Sequence, residues 1–306
     1  MWGKNVVRDD TTFGSSARRV APHAAAPAMI VLLSAIVSSM AVTTVPAWTQ
    51  TLKQWKCTGM PDIAWDEQIT GCTNAIKSGK LGGKDLAVAF AIRGSAHRAG
   101  GELKRAVQDY DQAAKLNPND TDVFFRRGIA HGMLGDADRA IDDFNQAIKL
   151  APDHVGALYS RGLTYSNKGQ WERAIKDYDQ AIKLSPNNVM AITNRGNAYL
   201  ALKQYDRAIA DYDQAIELDP SEAIPLNNRG DAYYQIGQAD RAMDDFNAAI
   251  KLDPNYTDAL NNRGLAYVGR GAYDLAIKDF DQVLKLNPND ADAIRNRADA
   301  LGKKSK

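Results

Sequence analysis

The chain has 306 residues, of which 44% are hydrophobic and 25% charged, and its formal net charge is +1. This is the composition of a folded globular chain, and it excludes the disordered and collagen-like classes. The balanced charge argues against bulk attraction to nucleic acid or to acidic membrane surfaces.

From the N-terminus, the first feature is a gap in charge. Between Arg19 and Lys53 there is no Asp, Glu, Lys or Arg. Within that gap Ala28 to Val37 reads AMIVLLSAIV, preceded by Arg18 and Arg19 and followed by Val45-Pro46-Ala47. A basic region, a short apolar core and a small-x-small ending describe a secretory signal peptide over residues 1–47, cleaved after Ala47. The competing reading is an uncleaved inner-membrane anchor over Pro27 to Val45, diluted by Ser34, Ser38, Ser39, Thr43 and Thr44. Residues 48–86 follow as an N-terminal cap segment. It holds both cysteines of the chain, Cys57 and Cys72. An even pair beside an export signal points to a disulfide.

Beyond this segment four residue types recur every 34 positions. Glycine stands at Gly94, Gly128, Gly162, Gly196, Gly230 and Gly264, and alanine at Ala106, Ala140, Ala174, Ala208, Ala242 and Ala276. An aromatic series runs Tyr110, Phe144, Tyr178, Tyr212, Phe246, Phe280, and a proline series Pro118, Pro152, Pro186, Pro220, Pro254, Pro288. Such a period predicts a solenoid, which offers a long surface rather than an enclosed pocket. In the repeat Val155 to Asn188, Ala157, Leu158, Gly162 and Tyr165 mark one face of a first helix, broken at Gly169-Gln170. Trp171, Ala174, Ile175, Tyr178, Ala181 and Ile182 form the apolar stripe of a second. Ser185-Pro186 ends it.

The pattern of Gly162, Tyr165, Ala174, Tyr178, Ala181 and Pro186 resembles the tetratricopeptide repeat family. The resemblance covers six repeats, 87–120, 121–154, 155–188, 189–222, 223–256 and 257–290. It implies an all-α, right-handed superhelical solenoid of helix-turn-helix repeats. Asp66 to Ser78 reads as an N-terminal half-repeat, with Ala75 on the small site and Cys72 on the aromatic site. Residues 291–306 read as a C-terminal capping helix with a polar, lysine-rich tail.

Departures from the family pattern are informative. The residue before each glycine is arginine: Arg93, Arg127, Arg161, Arg195, Arg229 and Arg263, with Arg297 in the cap. Sixteen residues on stands aspartate: Asp109, Asp143, Asp177, Asp211, Asp245 and Asp279. In a hairpin turning near position 15 of the repeat, positions 7 and 23 face each other, so an ion pair within each repeat is expected. A ladder of arginines for anionic ligands is the alternative.

A separate feature is an asparagine row at position 6: Asn194, Asn228, Asn262 and Asn296, with Asn197, Asn227 and Asn261 beside it. In tetratricopeptide arrays first helices line the concave groove. An exposed amide there offers one acceptor and two donors to a peptide backbone, which resembles the asparagine ladder of protein O-GlcNAc transferases. The alternative is that these amides bridge adjacent helices.

His97 and His131 take the position that Tyr165, Tyr199, Tyr233 and Tyr267 fill in other repeats, and read as packing residues. No phosphate loop, serine elbow or histidine–cysteine pair appears, so no enzyme, cofactor or metal is expected. The functional expectation is a non-catalytic scaffold or adaptor, exported to a bacterial periplasm, that binds an extended polypeptide in envelope assembly. An accessory subunit of an envelope hydrolase or glycan-processing enzyme and a self-associating structural protein stay open beside it. Protein or peptide is the expected partner, with no nucleic acid, and membrane only through an uncleaved N-terminal segment.

Overall fold

The computed structural model describes residues 52–305. The leader assigned to residues 1–47 lies outside these. The described residues belong to one compact unit built of α-helices, without strands. Among them no helix is long and apolar enough to cross a membrane.

The capping helix α1 (Trp65–Lys77) leads into six hairpins. These are α2 (Gly83–Ala99) with α3 (Leu103–Leu116), α4 (Thr121–Met133) with α5 (Ala137–Leu150), and α6 (Val155–Asn167) with α7 (Trp171–Leu184). They continue with α8 (Val189–Ala201) and α9 (Tyr205–Leu218), α10 (Ala223–Gln235) and α11 (Ala239–Leu252), and α12 (Thr257–Gly269) and α13 (Tyr273–Leu286). The closing helix is α14 (Ala291–Lys304). Each helix packs on the next in sequence, so the array is a solenoid of helix pairs.

The local chemistry explains the boundaries. Side chains of Asp120, Asp136, His154, Asn188 and Asp290 accept from the third backbone N–H of the helices they precede, satisfying donors a helix start leaves open. The turn inside most hairpins needs a left-handed residue, supplied by Gly101, Gly135, Gly169, Gly237 and Gly271. Repeat four supplies it with Lys203 at φ 59°.

The recurring glycines are forced by a close approach. A Cβ on Gly196 would stand 2.7 Å from Tyr212 Cε1, and one on Gly128 would stand 2.6 Å from Phe144 Cε1. The ring from the second helix occupies the space a side chain would take, and Tyr212 is wholly buried there. The alanine series Ala106 to Ala276 is buried beside these rings, giving large-into-small packing repeated along the array.

At the N-terminal end Cys57 and Cys72 are joined with Cα atoms 4.7 Å apart. They are buried among Leu52, Ala75, Leu81 and Ala89. The bond ties the strap before α1 to the helix that shields the first repeat. Closing this 15-residue separation stabilises by roughly 3 kcal/mol in the chain-entropy model. The Cys57→Ser/Cys72→Ser variant is therefore expected to unfold at lower urea concentration than the parent. Reduction of the parent should give the same shift. A variant that melts with the parent would show that the cap contributes nothing to the array.

Candidate functional site

Successive first helices pack directly on one another, whereas successive second helices are separated. The first helices therefore form the inner row of the array. On each of them positions 4, 7, 8 and 11 turn toward the second helix. Positions 2, 6, 9 and 13 fall on the opposite side at helical periodicity and line the inner face.

The asparagine row lies here, and the structure corrects the expectation that its amides are exposed. Asn262 Nδ2 donates to Asn227 Oδ1 at 3.0 Å, and Asn227 Nδ2 to Asn228 Oδ1 at 3.1 Å. Asn228 Nδ2 donates to Asn197 Oδ1 at 2.8 Å, Asn197 Nδ2 to Asn194 Oδ1 at 3.3 Å, and Asn194 Nδ2 to the Tyr159 hydroxyl at 2.9 Å. The Tyr212 hydroxyl adds a 2.8 Å bond to Asn197 Oδ1. One relay thus runs from repeat six to repeat three. Asn227 and Asn228 are only 3% and 7% exposed. Neighbouring first helices sit close enough for short amides to reach across, and pairing satisfies them as they leave water. Asn194, Asn197, Asn261, Asn262 and Asn296 are half-buried. Asn261 Oδ1 is buried with no hydrogen-bond donor.

Around the row the inner face is partly apolar. Met190 and Ile224, both at position 2 and one repeat apart, are 56% and 45% exposed. The first helices of repeats three to six carry no lysine, and their arginines are Arg161, Arg195, Arg229 and Arg263. None of these four is free to meet a ligand.

Each arginine is fixed by its own repeat. Arg195 Nε and Nη2 reach the two oxygens of Asp211 at 2.9 and 2.7 Å. Arg93 with Asp109, Arg127 with Asp143, Arg161 with Asp177, Arg229 with Asp245 and Arg263 with Asp279 repeat the arrangement, at 2.6–2.7 Å for the Nη2 contact. A third contact was not evident from the pattern. Arg195 Nη1 donates to Asp179 of the preceding repeat at 2.7 Å. Arg127 reaches Asp111 in the same way, Arg161 reaches Asn145, Arg229 reaches Asp213, and Arg263 reaches Asn247. In the cap, Arg297 contacts Asp281, and Arg93 contacts Thr73 of α1 at 3.1 Å. The signal was in the sequence: from Arg127 to Arg263 an acceptor stands sixteen residues before each arginine as well as sixteen after it.

Hydrogen bonds to Asp211 hold the Arg195 guanidinium above its ordinary range. Burial pushes the Asp211 carboxyl up, against the pull of Arg195. The short bidentate geometry is that of a charged pair. His97 and His131 are buried at position 11 of their first helices, and burial lowers the His131 imidazole below its usual range. No group of His, Cys, Asp and Glu among the described residues could hold a metal.

The array has many solved counterparts. A tetratricopeptide repeat protein from Parabacteroides merdae superposes with a TM-score of 0.63 at 19% identity, over 83% of this chain and 97% of that one. The Cut9 complex of the APC/C hetero-tetramer Cut9-Hcn1 gives 0.61 at 18%, over 83% and 52%. YrrB, a TPR protein with an unusual peptide-binding site, gives 0.50 at 21%, over 62% and 97%. At these identities the likeness concerns the fold. No curated protein matches the chain. Family profiles described as TPR repeat match residues 94–135, 196–237 and 230–269. Those described as Tetratricopeptide repeat match 121–154, 155–188 and 257–290, and also 177–210. Together they run without a break from 94 to 290, more than half of the chain, and the chain belongs to the tetratricopeptide repeat family, whose arrays serve as protein–protein interaction scaffolds.

Proposed function

We propose that the protein is an exported, non-catalytic scaffold of an envelope assembly, and that the inner face of repeats four to six takes an extended segment of a partner polypeptide. The observation that carries this reading is the pair Met190 and Ile224, exposed on consecutive inner helices beside half-buried Asn194, Asn197, Asn262 and Asn296. Apolar side chains left in water gain from being covered. Amides that have used part of their hydrogen-bonding capacity can orient a backbone laid across them. YrrB supports the reading as a member of the same fold that carries a peptide-binding site. The disulfide in the N-terminal cap and the apolar leader support export to an oxidising compartment.

Asn227 and Asn228 are the most buried of the row, whereas Asn194, Asn197, Asn262 and Asn296 are half-buried and keep surface that a partner would cover. The test is affinity capture from envelope extract with the protein and with Met190→Asp/Ile224→Asp. These two side chains are exposed, so the variant is expected to keep its helicity and melting temperature. A partner held by the parent and lost from the variant is the expected result. If both capture the same partners, the inner face is not where they bind.

A further inference from the structure

Six aspartates at position 23 are buried, and each is met by an arginine. Asp231 is different. It is half-buried at position 9 of α10, on the inner row, and accepts a hydrogen bond from Gln235 Nε2 one turn along its own helix at 3.1 Å. No cation among the described residues pairs with it.

The preceding repeat shows what is missing. There position 9 is Asn197, whose Oδ1 accepts from the Tyr212 hydroxyl and from Asn228 Nδ2, both at 2.8 Å. One repeat on, the counterpart of Tyr212 is Phe246, which has no hydroxyl. The counterpart of Asn228 is Asn262, whose amide turns to Asn227. The side chain at position 9 has lost both donors and gained a full charge. A carboxylate has about four acceptor sites, and a charge drawn out of water without a partner is costly. On α12, which packs against α10, the buried Oδ1 of Asn261 has no donor.

We propose that Asp231 is the seat for a cationic side chain, lysine or arginine, of the polypeptide that lies along the inner face. This deepens the groove reading above and rests on it. The charge agrees: beyond the arginines locked to second helices, the first helices of repeats three to five carry one acidic residue, Asp231, and no lysine. Burial raises the Asp231 carboxyl above the ordinary range, with Gln235 opposing. A bound cation would reverse that shift.

The test selects random-sequence displayed peptides on the protein and, in parallel, on Asp231→Asn. That variant recreates the side chain of Asn197 and is expected to keep its melting temperature. Phe246→Tyr is the second variant, which returns a hydroxyl to the carboxylate without changing charge. Peptides selected by the parent are expected to share one position dominated by lysine or arginine. That preference should vanish with Asp231→Asn, and a selected peptide should bind it roughly tenfold or more weakly. Phe246→Tyr should weaken the same peptide. Lysine against arginine at that position tells an ammonium from a guanidinium seat. Peptides that bind with no cationic preference, or bind all three forms equally, overturn the seat and leave the groove standing. If no peptide is selected by the parent, the groove reading falls and the seat with it.

Discussion

Replacing Arg195 by methionine is expected to destabilise the array by about 3–5 kcal/mol at neutral pH, because one partner of a buried ion pair is left behind. Asp211 is 5% exposed and takes both of its short hydrogen bonds from Arg195. Methionine fills similar space but supplies neither charge nor donor. The loss also severs the contact to Asp179, one of the polar ties between repeats three and four.

The deficit has a pH signature with a definite sign. Burial already pushes the Asp211 carboxyl up, and Arg195 opposes it. Without the arginine, burial and the like charge of Asp179 remain, both raising it further. A group whose folded-state pKa lies above its unfolded one stabilises the fold when protonated, and that contribution is lost as pH rises through the folded value. The gap in urea midpoint between parent and Arg195→Met should therefore be wide at pH 8 and narrow at pH 5. Adding Asp211→Leu should recover most of the loss, since an apolar pair of similar volume can replace a buried ion pair at little cost. A gap that is the same at both pH values would mean that Asp211 is solvated once its partner is gone.

The second large effect concerns the ring under the glycine. Tyr212→Ala is expected to cost about 3–5 kcal/mol, the usual range for emptying a large aromatic site. Gly196→Val should cost roughly 1–3 kcal/mol in the parent, since the new side chain meets a buried ring that has nowhere to go. That clash begins at 2.7 Å for the Cβ alone. Combined, the two changes should cost less than their sum, because valine grows into the space the ring vacated. A double-mutant cycle on urea unfolding reads the coupling directly. Strict additivity would show that the glycine is kept for another reason.

Much of this was legible beforehand, and the failures are as physical as the successes. The 34-residue period reports packing, and packing here is local: Gly196 faces Tyr212 of its own hairpin, so a fixed spacing specifies the contact. The Arg195–Asp211 pair is readable for the same reason. Its other arm, to Asp179, was hidden because a sixteen-residue interval points both ways and a hairpin invites only the forward one. The asparagine row misled in a different manner. Position 6 was placed on the inner face, but a run of short amides looks the same whether it faces water or its neighbours. Only the lateral distance between first helices decides that, and it brings Asn228 onto Asn197 and Asn262 onto Asn227. Asp231 carries no signal of its own in the repeat pattern, because what sets it apart is the pair of donors that Asn197 has one repeat earlier.

The central claim is that the inner row of first helices holds a partner polypeptide. The most direct measurement is photo-crosslinking in cells, with a benzoylphenylalanine placed at Ile224 on the inner face or at Asp244, exposed on a second helix. A discrete protein adduct is expected from position 224 and none from position 244. An adduct from 244 alone, or from neither, would contradict that claim.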